Sequence, residues 1–375
     1  MSKIIIVTFT DTVDNYGQVL QCYATQEYLK KRGHDVFIHM KKPMTFQIIR
    51  GLARRFKHLI IKEKKRDWRD SLNEEDKAKQ IIFDQWNEET IRSERSHPRY
   101  FNKFKKKYFQ IENTSVEKLH TRNFDVCVVG SDQTWSGLNS YFFLRWAPKD
   151  AKRISIAPSV GHKQFNDNDV ETIKSWLKDF DLVTVREDNG VELCVKAGRP
   201  DVKKILDPTF LLSSDEYSRI ELPHNVRKPF ILLYLLGGEI AMDVSEIYKF
   251  AKKENLEVVY VASQGRKDNY PKYNAQVGQW LSLIKDAKYV FTNSFHGMAF
   301  SVIFRKQFII FPLVGMMRSM NTRVYSLAKD LQLESVIYQG GMMDVVKNRI
   351  DYENSYRLLS HNLKYFNSLL SQVGL

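Results

Sequence analysis

One histidine, His296, lies where an apolar run ends in a small polar turn, within the stretch YVFTNSFHGMAFS at 289–301. We predict a buried strand that ends at 291 and an apolar helix over 298–304, with Gly297 tightening the backbone between them. His296 then occupies a strand-to-helix junction. Ligands of open α/β sheets bind beyond the carboxyl ends of the strands, where helix N-termini offer free N–H groups to anions. Because histidine exchanges protons near neutrality, the pattern predicts acid–base chemistry on an anionic ligand.

The same turn has an alternative interpretation. His296 would be a hydrogen-bonded core histidine, and Ser294 would be an ordinary N-cap of the next helix. We favour a functional site, because histidine is costly to bury without partners and because Asn293, Ser294 and Gly297 are typical of a loop that displays side chains.

Strand-like and helix-like segments alternate along the chain. Residues 3–9, a β-branched run typical of a strand buried on both faces, are followed by a predicted helix at 18–31 and a strand at 36–39. Later strands are predicted at 124–129, 154–157, 182–185, 230–236, 256–262, 289–291 and 308–311, and later helices at 243–254, 277–284, 322–331 and 352–370. Since most of these strands end in polar loops, we expect the loops to gather along one edge of a parallel sheet.

A chain of 375 residues usually divides into two domains. We place the first α/β domain at 1–212, with a helical insertion at about 44–113 that is rich in charged and aromatic residues. The strand–helix pattern restarts after residue 204, which predicts a second α/β domain at 213–350. A C-terminal helix at 351–375 is predicted to pack back on the first domain.

The composition predicts a cytoplasmic protein. No apolar run is long enough to cross a bilayer, and the N-terminus enters the first strand without a cleavable signal pattern. The three cysteines are an odd count without metal-like spacing, which suits a reducing compartment. We interpret Cys22 and Cys127 as small buried apolar residues.

The net charge of +14 predicts an anionic partner. Residues 50–66 concentrate this charge, with eight Lys or Arg against the single acid Glu63, and apolar residues are interleaved. Such a helix would bind an anionic membrane surface and would place the protein at the inner face of the membrane. A surface helix whose apolar stripe packs on its own domain explains the pattern equally well. Nucleic acid is not expected, because no nucleic-acid-binding motif accompanies the charge.

Five separated pieces of the chain, in this order, resemble the polysaccharide pyruvyl transferases: NYGQVLQCYA at 15–24, VGSDQTW at 129–135, Arg186-Glu187, Asp207-Pro208-Thr209 and SFHG at 294–297. The resemblance implies two Rossmann-like domains facing each other across a cleft, similar to the GT-B glycosyltransferases, with the acceptor on the first domain and the donor on the second. It also implies transfer of pyruvyl from phosphoenolpyruvate to hydroxyls of a saccharide, commonly lipid-linked, as a ketal. Phosphoenolpyruvate is then a substrate, and no cofactor is expected.

The donor needs fixed cations and N–H groups for its phosphate and carboxylate. We predict that His296 is the acid–base group and that the donor is bound by Ser294, Gly297, Asn321, Arg323 and Arg186. In some branches the position of Ser294 resembles an arginine that grips the donor, and Arg323 is the candidate replacement. The alternatives are that Arg323 pairs with a carboxylate of its own helix and that Arg186 pairs with Glu187.

The acceptor is predicted to meet polar loops of the first half. The candidates are Asn15, Gly17, Ser131, Gln133 and Trp135, with Asp132 as the base that activates a hydroxyl. Carboxylate and amide groups hydrogen-bond to hydroxyls, and an indole face stacks on a sugar. The alternatives are that Asn15 and Gly17 form a simple N-cap and turn, and that Trp135 belongs to the core.

Metal binding is not predicted, because the histidines are isolated and no acidic pair accompanies them. Two rival functions keep the same outline. One is a GT-B glycosyltransferase that uses a nucleotide sugar. The other is a non-enzymatic basic adaptor on a membrane or nucleic acid.

Overall fold

The computed structural model describes residues 1–40, 74–161, 165–263, 265–266, 268–340, 346 and 349–375. Its eleven described strands are β1 (Lys3–Val7), β2 (Asp35–His39), β3 (Ile111–Glu112), β4 (Val126–Val129), β5 (Lys152–Ser155), β6 (Thr184–Val185), β7 (Lys203–Lys204), β8 (Phe230–Tyr234), β9 (Glu257–Tyr260), β10 (Tyr289–Thr292) and β11 (Gln307–Ile310). All strand pairs are parallel. The predicted α/β class is therefore confirmed.

The helices of the described residues are α1 (Tyr16–Lys31), α2 (Glu74–Ser96), α3 (Phe101–Tyr108), α4 (Asp167–Leu177), α5 (Asp188–Lys196), α6 (Ser214–Ser218), α7 (Val244–Lys253), α8 (Val277–Asp286), α9 (Phe295–Ile303), α10 (Asn321–Leu331) and α11 (Tyr352–Gln372). None of them is long and apolar enough to cross a membrane.

The first sheet has the strand order β3-β2-β1-β4-β5. Its central strand β1 pairs with β2 and β4, and the register places Ile4 beside Val36 and Val126. Ile4 and Ile5 are fully buried on opposite faces, because helices cover a parallel sheet on both sides. This double burial explains the uninterrupted apolar run in the sequence.

The second sheet has the order β11-β10-β8-β9. Strand β10 pairs with β8 and β11, so the residues after Thr292 leave the middle of the carboxyl edge. One apolar core joins the two halves. At the junction, Tyr16 of α1 stacks on Trp280 of α8 with ring centroids 5.0 Å apart, and its hydroxyl donates to the Ala275 carbonyl oxygen at 2.7 Å.

The predicted helical insertion at 44–113 contains the helices α2 and α3, and its end forms β3 at the edge of the first sheet. Lys105 of α3 is buried and donates to the carbonyl oxygens of Thr10 and Thr12 at 2.9 and 3.0 Å. The insertion thus fixes the loop that precedes α1. The basic segment 50–66 lies outside the described residues.

The C-terminal helix α11 contacts both halves. Leu370 is fully buried, and Phe366 stacks on Tyr28 of α1. Arg32, which follows α1, donates to Asn367 Oδ1 and to the main-chain oxygen of Leu375, both at 2.7 Å. Contacts with α10 tie the same helix to the second half.

Trp135 corrects one of our acceptor predictions. Its side chain is fully buried and stacks on Phe143 with ring centroids 5.0 Å apart. The indole Nε1 donates to the Phe142 carbonyl oxygen at 3.2 Å. Because every face of the ring packs in the core, Trp135 cannot stack on a sugar in this structure, and the core alternative is the one observed.

Candidate active site

The candidate site forms where the carboxyl edges of the two sheets face each other through α1 and α9. His296 lies in the first turn of α9, which begins at Phe295, three residues earlier than we predicted from the sequence. Gly17 lies in the first turn of α1. A Cβ atom added to Gly17 would overlap the His296 ring. Only glycine therefore allows the first half to approach this imidazole so closely.

A buried ionic network lies behind His296. Arg186 Nη1 donates to Asp207 Oδ2 at 2.6 Å, and Arg186 Nε donates to Glu187 Oε1 at 2.9 Å. Ser131 Oγ donates to the same Asp207 oxygen at 2.9 Å. The two carboxylates raise the pKa of Arg186 above its usual range, although burial alone would lower it. The guanidinium is thus held as a fixed cation by two carboxylates.

His296 is buried with charged side chains nearby, and its ring meets Phe295 edge-on, with ring centroids 5.1 Å apart. Its Nε2 lies 3.8 Å from Asp207 Oδ2, too far for a hydrogen bond. Burial lowers the pKa of His296 below its ordinary value; the Asp207 carboxylate opposes this shift, and the Arg186 guanidinium adds to it. The imidazole is therefore neutral at pH 7 in the free protein.

Arg323 brings a second guanidinium to this place. It lies on α10 and is 8% exposed. Burial lowers the pKa of Arg323 below its usual range, and the like charge of Arg186 contributes to the shift. No ion pair with a carboxylate of its own helix is found in the described part of the chain, although such a pair was our alternative. Arg323 is thus a buried cation close to another cation.

Several polar atoms of this cluster have no hydrogen-bonding partner among the residues that the structure describes. They are Arg186 Nη2, Arg323 Nε, His296 Nε2 and Glu187 Oε2. Three of the four are nitrogen atoms, two of them guanidinium donors. Since buried polar groups are normally paired, this arrangement is typical of a site that receives an anion.

Ser294 and Asn321 have structural partners. Ser294 Oγ accepts from the Gly297 amide at 3.2 Å and so caps α9, as our alternative had it. The Gly297 amide is occupied by this bond, which corrects its predicted role as an anion donor. The Asn321 side chain exchanges two hydrogen bonds with the Leu313 main chain, of 2.7 and 2.8 Å. Asn321 therefore fixes the loop before Arg323 instead of facing the donor.

Asp132, the predicted base for the acceptor hydroxyl, affects His296 through its charge. It is 5% exposed, has a φ of 73°, and its Oδ2 accepts from Gln18 Nε2 at 2.7 Å. Its charge raises the pKa of His296 and so opposes the effect of burial. A positive φ is uncommon for a residue with a side chain and recurs at functional sites.

Three other acceptor candidates, Ser131, Asn15 and Gln133, have different surroundings. Ser131 is fully buried in the ionic network, so its side chain positions Asp207 and does not face an acceptor. Asn15 caps α1 by accepting from the Gln18 amide at 3.1 Å, which was our alternative for this residue. Gln133 is half-buried and keeps its side chain near Gly161.

A match between the sequence and a family model identifies the family of this chain. Residues 15–313 match the model described as polysaccharide pyruvyl transferase. The chain belongs to this family. The comparison with curated proteins gave no match. The family assignment confirms the resemblance that we inferred from the five sequence pieces.

Solved structures show the fold of this pyruvyl transferase family member. UDP-N-acetylglucosamine 2-epimerase from Rickettsia bellii is similar, with a TM-score of 0.51 and 10% identity over 99% of this chain and 96% of that chain. MurG from Acinetobacter baumannii is also similar, with a TM-score of 0.46 and 10% identity over 99% of both chains. The match to the Rickettsia bellii structure confirms the predicted GT-B-like fold.

Two residues of this pyruvyl transferase site were missed as candidates. Asp207 was named only within the motif Asp207-Pro208-Thr209, and Gln18 only within the motif 15–24 and the predicted helix 18–31. The signal for Asp207 was its place directly after the strand-like run 204–206 and before a proline. Within the described residues, no group of three or more His, Cys, Asp or Glu that could hold a metal is present.

Replacing Gly17 with alanine is expected to reduce the transferase activity by at least about 10²-fold. The added methyl group must displace the His296 ring. A displacement of about 1 Å within an active site has an effect of this size. The measurement is the rate of pyruvyl transfer at saturating substrates. Gly137→Ala is the matched control, since a Cβ atom there meets nothing within 4 Å. Equal activities of the two variants would contradict the close approach.

Proposed function

We propose that this enzyme transfers pyruvyl from phosphoenolpyruvate to two hydroxyls of a saccharide and forms a ketal, with His296 as the acid–base group. The observation that carries the proposal is the convergence of Arg186, Arg323 and His296, each of which has one buried nitrogen atom without a partner among the described residues (Arg186 Nη2, Arg323 Nε and His296 Nε2). Phosphoenolpyruvate carries a phosphate and a carboxylate, and a guanidinium group can bind either anion through two parallel hydrogen bonds.

The charges around His296 support an anionic donor. Two carboxylates already hold Arg186 in place, so the guanidinium needs no rearrangement when the donor binds. Arg323 is held near the like charge of Arg186, and an anion between them would relieve the repulsion. The Ser294 hydroxyl proton is not used by its cap and is an additional donor.

The reaction needs one proton at carbon and one leaving phosphate. The first saccharide hydroxyl adds to C2 while C3 takes a proton, so the methylene becomes a methyl group and the hydroxyl's own proton balances the one added. The C2–O bond to phosphate then breaks, and phosphate leaves with the bonding electrons. The second hydroxyl bonds to C2, and its proton leaves with the phosphate. The products are a ketal and inorganic phosphate.

His296 fits the proton transfer to C3. Its pKa in the free protein is low because the ring is buried, and the two arginine charges lower it further. A bound anion offsets those charges and raises the pKa, so the ring becomes protonated only when the donor is present. Asp132 is the proposed base for the first hydroxyl, because it is the nearby carboxylate that no cation pairs with in the described residues.

Thermal unfolding with added ligands tests the donor. Phosphoenolpyruvate is expected to raise the Tm of the wild type, and UDP-glucose is not, because a ligand stabilises only the protein that binds it. Arg323→Gln should abolish the shift by removing a buried cation, whereas Arg318→Gln, at an exposed position of the same segment, should keep it. A shift with UDP-glucose alone would favour a nucleotide-sugar glycosyltransferase instead.

The acceptor and its location complete the proposal. A saccharide acceptor follows from the family. We infer a lipid-linked precursor at the cytoplasmic face of the membrane from the sequence, since residues 50–66 combine a strong positive charge with apolar residues.

A further inference from the structure

A cleft lies between the insertion and the second half, and its lining includes neither His296 nor the arginines Arg186 and Arg323. Its volume is about 390 Å³. The described residues that line it from the insertion are Trp86, Glu89, Thr90, Ser93, His97 and Arg99. Those from the second half are Ala262, Ser263, Gly265, Arg266, Lys272 and Asn274. We call it the insertion cleft.

Close packing and ion pairs fix the walls of the insertion cleft. Gly265 has a φ of +72°, and a Cβ atom added there would lie 2.7 Å from Trp86 Cδ2, so the indole packs directly on the backbone. Arg99 is 3% exposed, and its Nε donates to Glu94 Oε2 at 3.2 Å. Arg266 donates to Asp268 Oδ2 at 2.8 Å. Carboxylates behind the wall thus hold two arginines in fixed positions.

The insertion cleft adjoins the candidate active site through the segment that begins α1. Thr90 of the cleft donates to Asp14 Oδ2 at 3.1 Å. Gly17, which lies against His296, is only three residues further along the chain, so the Cα atoms of Asp14 and Gly17 are at most about 11 Å apart. The cleft and the candidate site therefore contact neighbouring parts of one short segment.

The lining has the chemistry of a saccharide site. Glu89 offers a carboxylate, and Asn274 and Ser93 have side chains without hydrogen-bonding partners in the described part of the chain. Trp86 is 8% exposed and packs on Gly265, so it shapes the wall, and the polar groups are the ones suited to ring hydroxyls. The volume is at the small end of the range for ligand pockets, about 300–1,000 Å³, which suits one or two sugar rings.

We propose that the insertion cleft is the subsite that holds the saccharide acceptor, with Ser93, Glu89 and Asn274 binding its hydroxyls. This inference rests on the proposed function, because it assigns the second substrate of the same reaction. It gives the insertion a role in acceptor choice that is separate from donor binding. Phosphoenolpyruvate would bind at the arginines, and the saccharide would reach them from the insertion.

The test fills the cleft with a large side chain. Ser93→Trp places an indole in the cleft from an exposed helix position, where folding tolerates it. Glu88→Trp is the control, because Glu88 is exposed on the opposite side of α2. The assay is phosphate release with disaccharides of glucose, galactose and N-acetylglucosamine, each free, as the UDP derivative and as the farnesyl diphosphate derivative.

We expect S93W to raise KM for the best acceptor at least tenfold and to leave KM for phosphoenolpyruvate unchanged, while E88W matches the wild type. The derivative with the lowest KM identifies the source of the saccharide. Equal acceptor KM values for wild type and S93W, or no use of any saccharide by the wild type, would overturn the assignment. The thermal shift with phosphoenolpyruvate tests the donor independently, so failure of the cleft and failure of the proposed function are distinguishable.

Discussion

Replacing His296 with glutamine is expected to lower kcat by about 10²- to 10⁴-fold, the usual contribution of a positioned acid–base group. Glutamine preserves the packing against Gly17 approximately but cannot protonate C3 of the donor. The thermal shift caused by phosphoenolpyruvate should persist, because Arg186 and Arg323 are unchanged. The measurement is single-turnover phosphate release together with Tm in the presence of the donor.

His361→Gln is the matched control for this substitution. His361 lies on α11 and is exposed, so its replacement should change neither kcat nor Tm. A kcat for H296Q within threefold of the wild type would remove His296 from the chemistry. The assignment of proton transfer would then pass to Asp132, the remaining acid–base candidate at this place.

Asp207→Asn is expected to lower the free energy of unfolding by about 3–5 kcal/mol, the typical effect of removing one partner of a buried ion pair. Asp207 accepts hydrogen bonds from Arg186, Ser131 and Thr209, and it is 1% exposed. Without its charge, Arg186 keeps Glu187 as its one ionic partner in the described residues. Urea unfolding at pH 7 measures the difference.

The dependence of this difference on pH provides a further check. Burial alone would raise the pKa of Asp207, but Arg186 and His296 lower it below its ordinary value of 3.8. The stabilisation is therefore present above that value and is lost as the pH falls through the lower pKa of the folded state. Asp150→Asn, at an exposed position, is the control. Equal urea midpoints for D207N and D150N would contradict the network.

The fold followed from the sequence because its signals are local. Apolar runs such as 3–7 and 289–292 report strands buried on both faces, and the helices between them carry clear start and stop residues. We did not predict the helices α4, α5 and α6 or the short strands β3 and β7, and several boundaries were shifted. We predicted His296 in the turn before the helix, but it lies within α9, because Ser294 caps this helix at an earlier position than the apolar pattern indicates.

The site was only partly predictable, because its contacts join distant segments. Asp207 and His296 are 89 positions apart, and no periodicity reports that they meet. Cap residues posed a second difficulty. Asn15 and Ser294 are equally suited to bind a ligand or to satisfy a helix N-terminus, and the structure shows the second role. Trp135 likewise had no sequence signal to separate a stacking platform from a core residue.

The C-terminal helix has a mechanical consequence. It leaves the second half, crosses the junction and is fastened beside the end of α1 by Arg32, which grips both Asn367 and the last residue of the chain. Because α11 is attached to both halves, it opposes their separation more than their rotation about the helix axis. We therefore expect the two halves to move by rotating near this contact rather than by separating.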